Sequence, residues 1–355
     1  MSPPRRGSGG GAPRGGAPKG GAKKGGRKPP SAAAKKAIES KKARHAEASV
    51  RKADRPGARK ATSRGASLAG GRTAGGPRGA TGRGGGGAGR GSGPRSQGGA
   101  RGLGGDQVEG RQAVRELLLA GRRRVREILV AEDQDDTEVL QDIVDLALDL
   151  KVPVREVTRT RLFAEARTES PQGVVAHAGE LPEVELDDLA RRKSPQGHPP
   201  FLLAVDGVTD PGNLGALLRS AECAGVTGVV LPKHRAVHVT PTVTKAAAGA
   251  VEYLPMALVG GLPTALRQLR DAGVWVIGLD MGGDTDLFDL EVADQAVCLV
   301  LGAEGKGLSR LVRERCDAVA GIPLLGQLAS LNVSAAGALA CFEVTRRRLA
   351  SRRSW

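Results

Sequence analysis

Three stretches of the chain combine residue types that can orient, grip and turn around a ligand. The first runs Asp206-Gly207-Val208-Thr209-Asp210-Pro211-Gly212-Asn213-Leu214-Gly215 and continues through Arg219. Asn213 and Arg219 lie six residues apart across a helix start. A carboxamide can orient a hydroxyl, and a guanidinium fork can grip a phosphate. Simple capping by Asp210 or Asn213, with Arg219 on an exposed helix face, accounts for the same residues. The second stretch is Gly302-Ala303-Glu304-Gly305-Lys306-Gly307-Leu308-Ser309. Its glycines permit positive φ and close backbone approach to a ligand. It is neither a Walker loop nor a Gly-x-Gly-x-x-Gly loop, and a structural turn would use the same residues. The third runs from Ile322-Pro323 through Ser330-Leu331-Asn332-Val333-Ser334. Ser330 or Asn332 would serve as N-cap for the last helix. Capping does not explain why a long, Gly-bearing loop precedes it.

The elements around these loops have the pattern of an α/β protein. From Phe201 onward, apolar runs alternate with helical patterns: Leu202–Val205, Val229–Leu231, Val274–Leu279, Val297–Leu301 and Ala318–Ile322. Short apolar runs separated by helices imply buried parallel strands. Each of the three loops follows one such run, and ligands of parallel sheets bind at the carboxyl ends of strands. The final helix is expected over Val333–Leu349. Upstream, order is expected from about Asp106, with helices over Val108–Leu119 and Thr137–Leu150, the latter capped by Thr137. Strands are expected at Glu127–Val130, Pro153–Val157 and Gly173–Ala178. The polar, Pro-punctuated segment 181–200 reads as a linker with one short helical turn.

Charge divides the chain. Lys and Arg total 54 against 38 Asp and Glu, a net charge of +16. Residues 1–100 hold 24 Lys/Arg, 3 Asp/Glu and 27 of the 53 glycines, leaving a mildly acidic body. That tail, 1–103, has too little apolar surface to offset chain entropy and is expected to be disordered. Its Arg-Gly-Gly pieces suit loose, salt-sensitive phosphate contacts with RNA, and a solubilising extension would have the same composition. No apolar run follows the opening Met-Ser-Pro-Pro-Arg-Arg, and no stretch approaches a membrane span, so a cytoplasmic protein is expected. Cys223, Cys298, Cys316 and Cys341 are widely spaced and suit a reducing compartment without a zinc framework. His234 and His238 have no third ligand and read as an exposed pair, so no metal is expected.

Jointly and in order, the three loops resemble the three sequence motifs of the SpoU class of SPOUT methyltransferases. The segment Glu109-Gly110-Arg111-Gln112-Ala113-Val114 is similar to the start of the substrate-binding domain that many members carry. The resemblance covers roughly residues 106–350 and implies an α/β protein. Residues 201–350 would form a trefoil-knotted methyltransferase domain and 104–180 a small, ribosomal-protein-like RNA-binding domain, with 351–355 a basic end. It further implies methyl transfer from S-adenosylmethionine to a ribose 2′-hydroxyl of RNA by a homodimer, with a guanosine of 23S rRNA as the target. Gly302, Ile322 and Leu331 would lie against the cofactor. Asn213, Arg219, Glu304, Ser330 and Asn332 match the family's active-site positions. A guanidinium stays protonated, so Arg219 suits a phosphate clamp better than a free base. Asn213 and Asn332 would position ribose and backbone, and Glu304 would orient Arg219 or the target nucleotide. In the N-terminal domain, Gln172 would read a base edge and Arg111 would contact phosphate, although a solvated loop accounts for both as well. Many members have His-Gln-Gly where this chain has Pro171-Gln172-Gly173, a departure that bears on the RNA target.

Two rivals remain at this level. The same chemistry could act on tRNA, or on an rRNA adenosine to confer antibiotic resistance. A non-catalytic RNA-binding assembly factor would share the basic tail, but it has no use for Asn213, Arg219, Glu304 and Asn332 together.

Overall fold

The computed structural model describes residues 102–135, 137–233 and 238–351. The basic tail through Arg101, its expected disorder, and His234 all lie outside the described residues.

The N-terminal unit comprises β1 (Gln107–Glu109), α1 (Arg111–Ala120), β2 (Val125–Ala131), α2 (Glu138–Asp149), β3 (Val154–Val157), α3 (Arg159–Glu165) and β4 (Val174–Ala178). Its sheet runs β1-β4-β2-β3, with only β2 and β3 parallel. Val114, Leu117 and Leu118 of α1 meet Ile143, Leu146 and Ala147 of α2 in one core, as their 3–4 spacing requires. Thr137 caps α2 by accepting from Leu140 N at 3.4 Å. Val108 and Glu109, expected in the first helix, form a strand instead. Gly110 at φ +93° breaks the chain direction between the two elements.

The C-terminal unit comprises α4 (Leu186–Arg191), β5 (Phe201–Val205), α5 (Pro211–Cys223), β6 (Gly228–Pro232), α6 (Pro241–Ala246), β7 (Met256–Val259), α7 (Leu262–Asp271), β8 (Trp275–Leu279), β9 (Thr285–Asp286), β10 (Val297–Leu301), α8 (Arg310–Arg313), β11 (Ala318–Gly321) and α9 (Val333–Ser351). Its seven strands, ordered β7-β6-β5-β10-β8-β11-β9, pair in parallel throughout. Strand β10 inserts between β5 and β8, in register with both at Leu203, Leu299 and Ile277. Helices α5, α6 and α9 cover one face of the sheet and α4, α7 and α8 the other. Both faces are therefore dry, as the continuous apolar runs require.

The segment 181–200 is not a free linker. Val184 N donates to Met256 O at 3.0 Å, and Leu189 is fully buried against the Cα face of Gly228. Leu186, Leu189 and Ala190 recur at helical spacing, so one turn suffices to dock the segment on the sheet. Order likewise starts before Asp106: Leu103 is 1 % exposed within the C-terminal core. At the far end, Arg348 of α9 donates to the carbonyls of Pro199, Pro200, Ala293 and Gln295 and lies 5.1 Å from the Phe201 ring centroid. Burial pushes its guanidinium down to about 10.

The two units meet through a buried ion pair. Arg123 Nε donates to Glu252 Oε2 at 2.8 Å, with the two side chains 4 % and 1 % exposed. Arg123 also donates to the carbonyls of Gly105 and Gly179, on the two chain crossings between the units. Tyr253 Oη donates to Glu116 at 2.7 Å, and burial together with that carboxylate pushes the phenol upward.

Candidate active site

The three loops converge at the carboxyl ends of β5, β10 and β11. Asp210 is the cap of α5, its Oδ1 accepting from Asn213 N at 2.6 Å. The Asn213 side chain is thereby free of capping and turns toward the other two loops. Its Nδ2 donates to Glu304 Oε2 at 3.2 Å, and its Oδ1 accepts from Asn332 Nδ2 at 2.9 Å. Asn332 rather than Ser330 caps α9: its Oδ1 accepts from Ser334 N at 3.0 Å, Ala335 N at 3.4 Å and Ser334 Oγ at 2.6 Å. The two carboxamides are thus oriented without ambiguity. A carboxylate can only accept, so Asn213 must present its NH2 to Glu304 and its oxygen to Asn332.

Beside this relay lies a cavity of about 620 Å³. Gly302, Ile322 and Leu331 line it, with Glu304 and Ser330 at its polar side and Leu301, Leu324 and Leu328 on its apolar side. The floor is backbone. Ala303 and Gly307 exchange both N–H···O bonds, at 3.0 and 2.9 Å. A Cβ on Gly302 would sit 2.1 Å from the carbonyl carbon of Gly307, so only glycine allows the loop to close. Size, apolar walls and a few convergent polar groups fit a nucleoside-bearing cofactor such as S-adenosylmethionine.

Two carboxylates to which the sequence assigned no role, Asp206 and Asp280, hold this loop in place. Asp206 Oδ2 accepts from Ser309 N at 2.7 Å. Asp280 Oδ2 accepts from Leu308 N at 3.4 Å and from Arg313 Nη1 at 3.0 Å. Their signal is positional, since each directly follows a buried strand, β5 or β8.

Arg219 takes no part in the hydrogen bonds of the relay. Six residues along α5 carry it about 9 Å from Asn213 and roughly 120° around the axis, onto an exposed face. Arg111 is committed to its own domain: Nε donates to Gln172 O at 3.2 Å, Nη1 to Thr137 Oγ1 at 3.1 Å and Nη2 to Gln134 Oε1. It braces the Gln172 loop through these three bonds. Pro171 is buried, while Gln172 stays exposed at φ +56°. Among the described residues no group of three or more His, Cys, Asp and Glu could hold a metal ion, and no helix is long and apolar enough to cross a membrane.

Comparison with known proteins places the chain in a family. Residues 200–342 match the SpoU rRNA Methylase family, and residues 107–184 match the RNA 2′-O ribose methyltransferase substrate-binding family. The 23S rRNA (guanosine-2′-O-)-methyltransferase RlmB of Pseudomonas aeruginosa is 40% identical over 246 residues, 68% of this chain and 97% of its own. The chain belongs to the SpoU rRNA methylase family. Its SpoU relatives include RlmB of Photobacterium profundum, 36% identical over 69% of this chain and 99% of that protein. Among solved SpoU structures, AviRb of Streptomyces viridochromogenes in complex with AdoMet superposes with a TM-score of 0.57 at 25% identity, covering 69% of this chain and 90% of that one. An AdoMet-bound rRNA methyltransferase of Sinorhizobium meliloti gives 0.56 at 25% identity, over 68% and 87% of the two chains.

Proposed function

We propose that this chain transfers the methyl group of S-adenosylmethionine to a ribose 2′-hydroxyl of RNA, at a guanosine of 23S rRNA. The observation that carries the proposal is the Glu304–Asn213–Asn332 relay, built from three separate loops at the mouth of the Gly302 cavity. The relatives named as 23S rRNA guanosine methyltransferases, matched over nearly their whole length, support the substrate.

When bound, S-adenosylmethionine supplies an activated methyl group on a sulfonium. The chain's task is then to seat the ribose hydroxyl in line and accept or relay its proton. Holding two reactants in line is worth on the order of 7–11 kcal/mol of barrier. Gly302, Ile322 and Leu331 hold the cofactor. Asn213 and Asn332, fixed in orientation by Glu304 and by the α9 N-terminus, present rigid polar groups to the ribose. Ser330 adds a hydroxyl at the same rim. Arg219 clamps a flanking phosphate.

A homodimer through the C-terminal domain completes the proposal. Ala335, Leu339, Phe342, Arg346 and Leu349 form an exposed stripe along α9 at alternating spacings of four and three, the pattern of a helix seam. The trefoil knot, cytoplasmic location and RNA contacts of the basic tail belong to the same reading. So do the division into an RNA domain at 104–180 and a catalytic domain at 201–350.

The test is transfer of labelled methyl from S-adenosylmethionine to 23S rRNA, with the product mapped by resistance to alkaline hydrolysis. One 2′-O-methylated guanosine is expected, lost in Arg219→Ala. A mark only on tRNA or on an adenosine would redirect the substrate. Full single-turnover rate in Arg219→Lys would remove Arg219 from the clamp role.

A further inference from the structure

The N-terminal domain contains a second cavity, of about 660 Å³, that the methyl-transfer site does not use. It opens between α3 and the loop before β4. Phe163, Arg159, Glu169, Gln172 and Gly173 line it, with Leu162 and Ala131 at its base. Leu162 is fully buried, whereas the neighbouring Phe163 leaves 44% of its surface in solvent. The Arg159 guanidinium lies 5.8 Å from the Phe163 ring centroid. An exposed ring beside a cation, over a cavity rather than a core, has the makeup of a base-stacking platform.

One residue at the cavity, Gln172, is held in the left-handed region that side chains seldom adopt. Gln172 adopts φ +56° and Gly173 φ +75°. A Cβ on Gly173 would fall 2.1 Å from the Gln134 carboxamide, so that side chain packs directly on the loop. Arg111 fastens the loop from below through Gln172 O, Thr137 and Gln134. Strained backbone that several neighbours enforce is a mark of a ligand site, and here Gln172 sits at the rim with its Oε1 accepting from Arg111 N at 3.2 Å, which leaves its NH2 to meet a ligand. The loop is also tied to the catalytic domain: Lys245 of α6 donates to Ser170 O, and α6 packs against α5 where Gly215 meets Ala246. Asn213 lies two residues from Gly215 on that helix.

We infer that this cavity receives one unpaired nucleobase of the substrate RNA, stacked on Phe163 and read at its edge by Gln172 and Glu169, at a nucleotide other than the one methylated. A base with an exocyclic amine fits best, because a carboxylate at the rim only accepts. The inference rests on the proposed RNA substrate and deepens it. The Arg111 brace and the α6 contact make the captured base a ruler for placing the target ribose.

The experiment uses the full chain with 23S rRNA. Chemical probing of base reactivity reads the bound complex, and methyl-transfer kinetics read KM for RNA. The wild-type chain is expected to protect one unpaired base away from the methylated nucleotide. Phe163→Ala is expected to lose that protection and raise KM on the order of tenfold or more, while Phe163→Tyr restores both. Unchanged protection and KM in Phe163→Ala would overturn the inference, as would failure of Phe163→Tyr to rescue. S-adenosylmethionine affinity of each variant, read by calorimetry, checks that the catalytic domain is intact. The footprint needs no turnover. A protected base without methyl transfer would therefore sink the proposed function alone, and transfer with a footprint blind to Phe163 would sink this inference alone.

Discussion

Asn332 performs two tasks that a pair of substitutions can separate. Its Oδ1 accepts three bonds at the start of α9, and its Nδ2 fixes Asn213 against Glu304. Asn332→Ala removes both. Loss of an N-cap costs about 1 kcal/mol, which lowers the melting temperature by roughly 2–4 °C for a protein of this size. Releasing Asn213 also frees its bond to a carboxylate, and a bond to a charged group is worth about 1.5–3 kcal/mol. At about 1.4 kcal/mol per decade, kcat/KM should fall between about 10-fold and 150-fold. Asn332→Asp divides the two effects. A carboxylate keeps all three accepted bonds and suits a helix N-terminus, so the melting temperature should stay within about 1 °C of wild type. It cannot donate to Asn213. The Asn213 amide must then turn its NH2 away from Glu304, leaving two oxygens opposed, and kcat/KM should fall at least as far as in the alanine variant. The assay is differential scanning calorimetry beside steady-state methyl transfer. An aspartate variant with wild-type kcat/KM would refute the relay and leave Asn332 as a helix cap only.

Other outcomes follow from the packing. Gly302→Ala puts a methyl group against immovable backbone at Gly307, and overpacking of this kind costs about 1–3 kcal/mol. S-adenosylmethionine affinity by calorimetry should drop about tenfold or more, and unchanged affinity would show that the loop does not shape the cofactor cavity. Glu252→Ala strands Arg123 in a buried site, at a cost of about 3–5 kcal/mol. Thermal unfolding should then fall by roughly 10 °C, and a shift under about 2 °C would argue against a rigid junction. The hydrogen bonds from Arg346 and Arg347 hold the Glu343 carboxyl below its usual value of 4.5. A depressed carboxyl stabilises the fold above that value, and the contribution disappears as pH falls through the folded pKa. Glu343→Gln should therefore lose stability at neutral pH yet show a shallower acid limb in pH-dependent unfolding. Parallel curves for variant and wild type would contradict the assignment.

The sequence made the site legible through the combination of its parts. Asn213, Gly302 and Asn332 could each belong to an ordinary cap or turn, and only the three loops together, in order after buried strands, marked a site. It did not show which side chains touch. Asn213 and Glu304 are 91 residues apart and Asn213 and Asn332 are 119 apart, and no local rule reports such pairings. The capping question was likewise decided by geometry, with Asp210 taking one helix and Asn332 the other. Errors fell where an element is shorter than its period. Gln107–Glu109 is too short to show alternation and borrowed the helical pattern that follows. Met256–Val259 was hidden between a Pro and two glycines, and β9 has only two residues. The helical turn expected in the linker is Leu186–Arg191, and what the prolines and acids around it concealed is its docking through Leu186, Leu189 and Ala190. Arg111 was legible as important, but its partners Thr137 and Gln134 come from a different loop, so its bracing role was not.

The position of β10 also governs how the chain comes to be folded. Its partners, β5 and β8, lie on either side of it, yet β5 emerges from synthesis roughly a hundred residues earlier. Until Leu301 has been made, the first three strands of the sheet end in an open, apolar edge with nothing to pair against. Pairings of such long sequence separation form slowly and leave sticky intermediates. The C-terminal unit should therefore mature only after nearly the whole chain has left the ribosome. The small N-terminal sheet, whose pairings all close within residues 107–178, can fold well before that. A cell making this protein would meet its RNA-domain fold first and its completed cofactor cavity last.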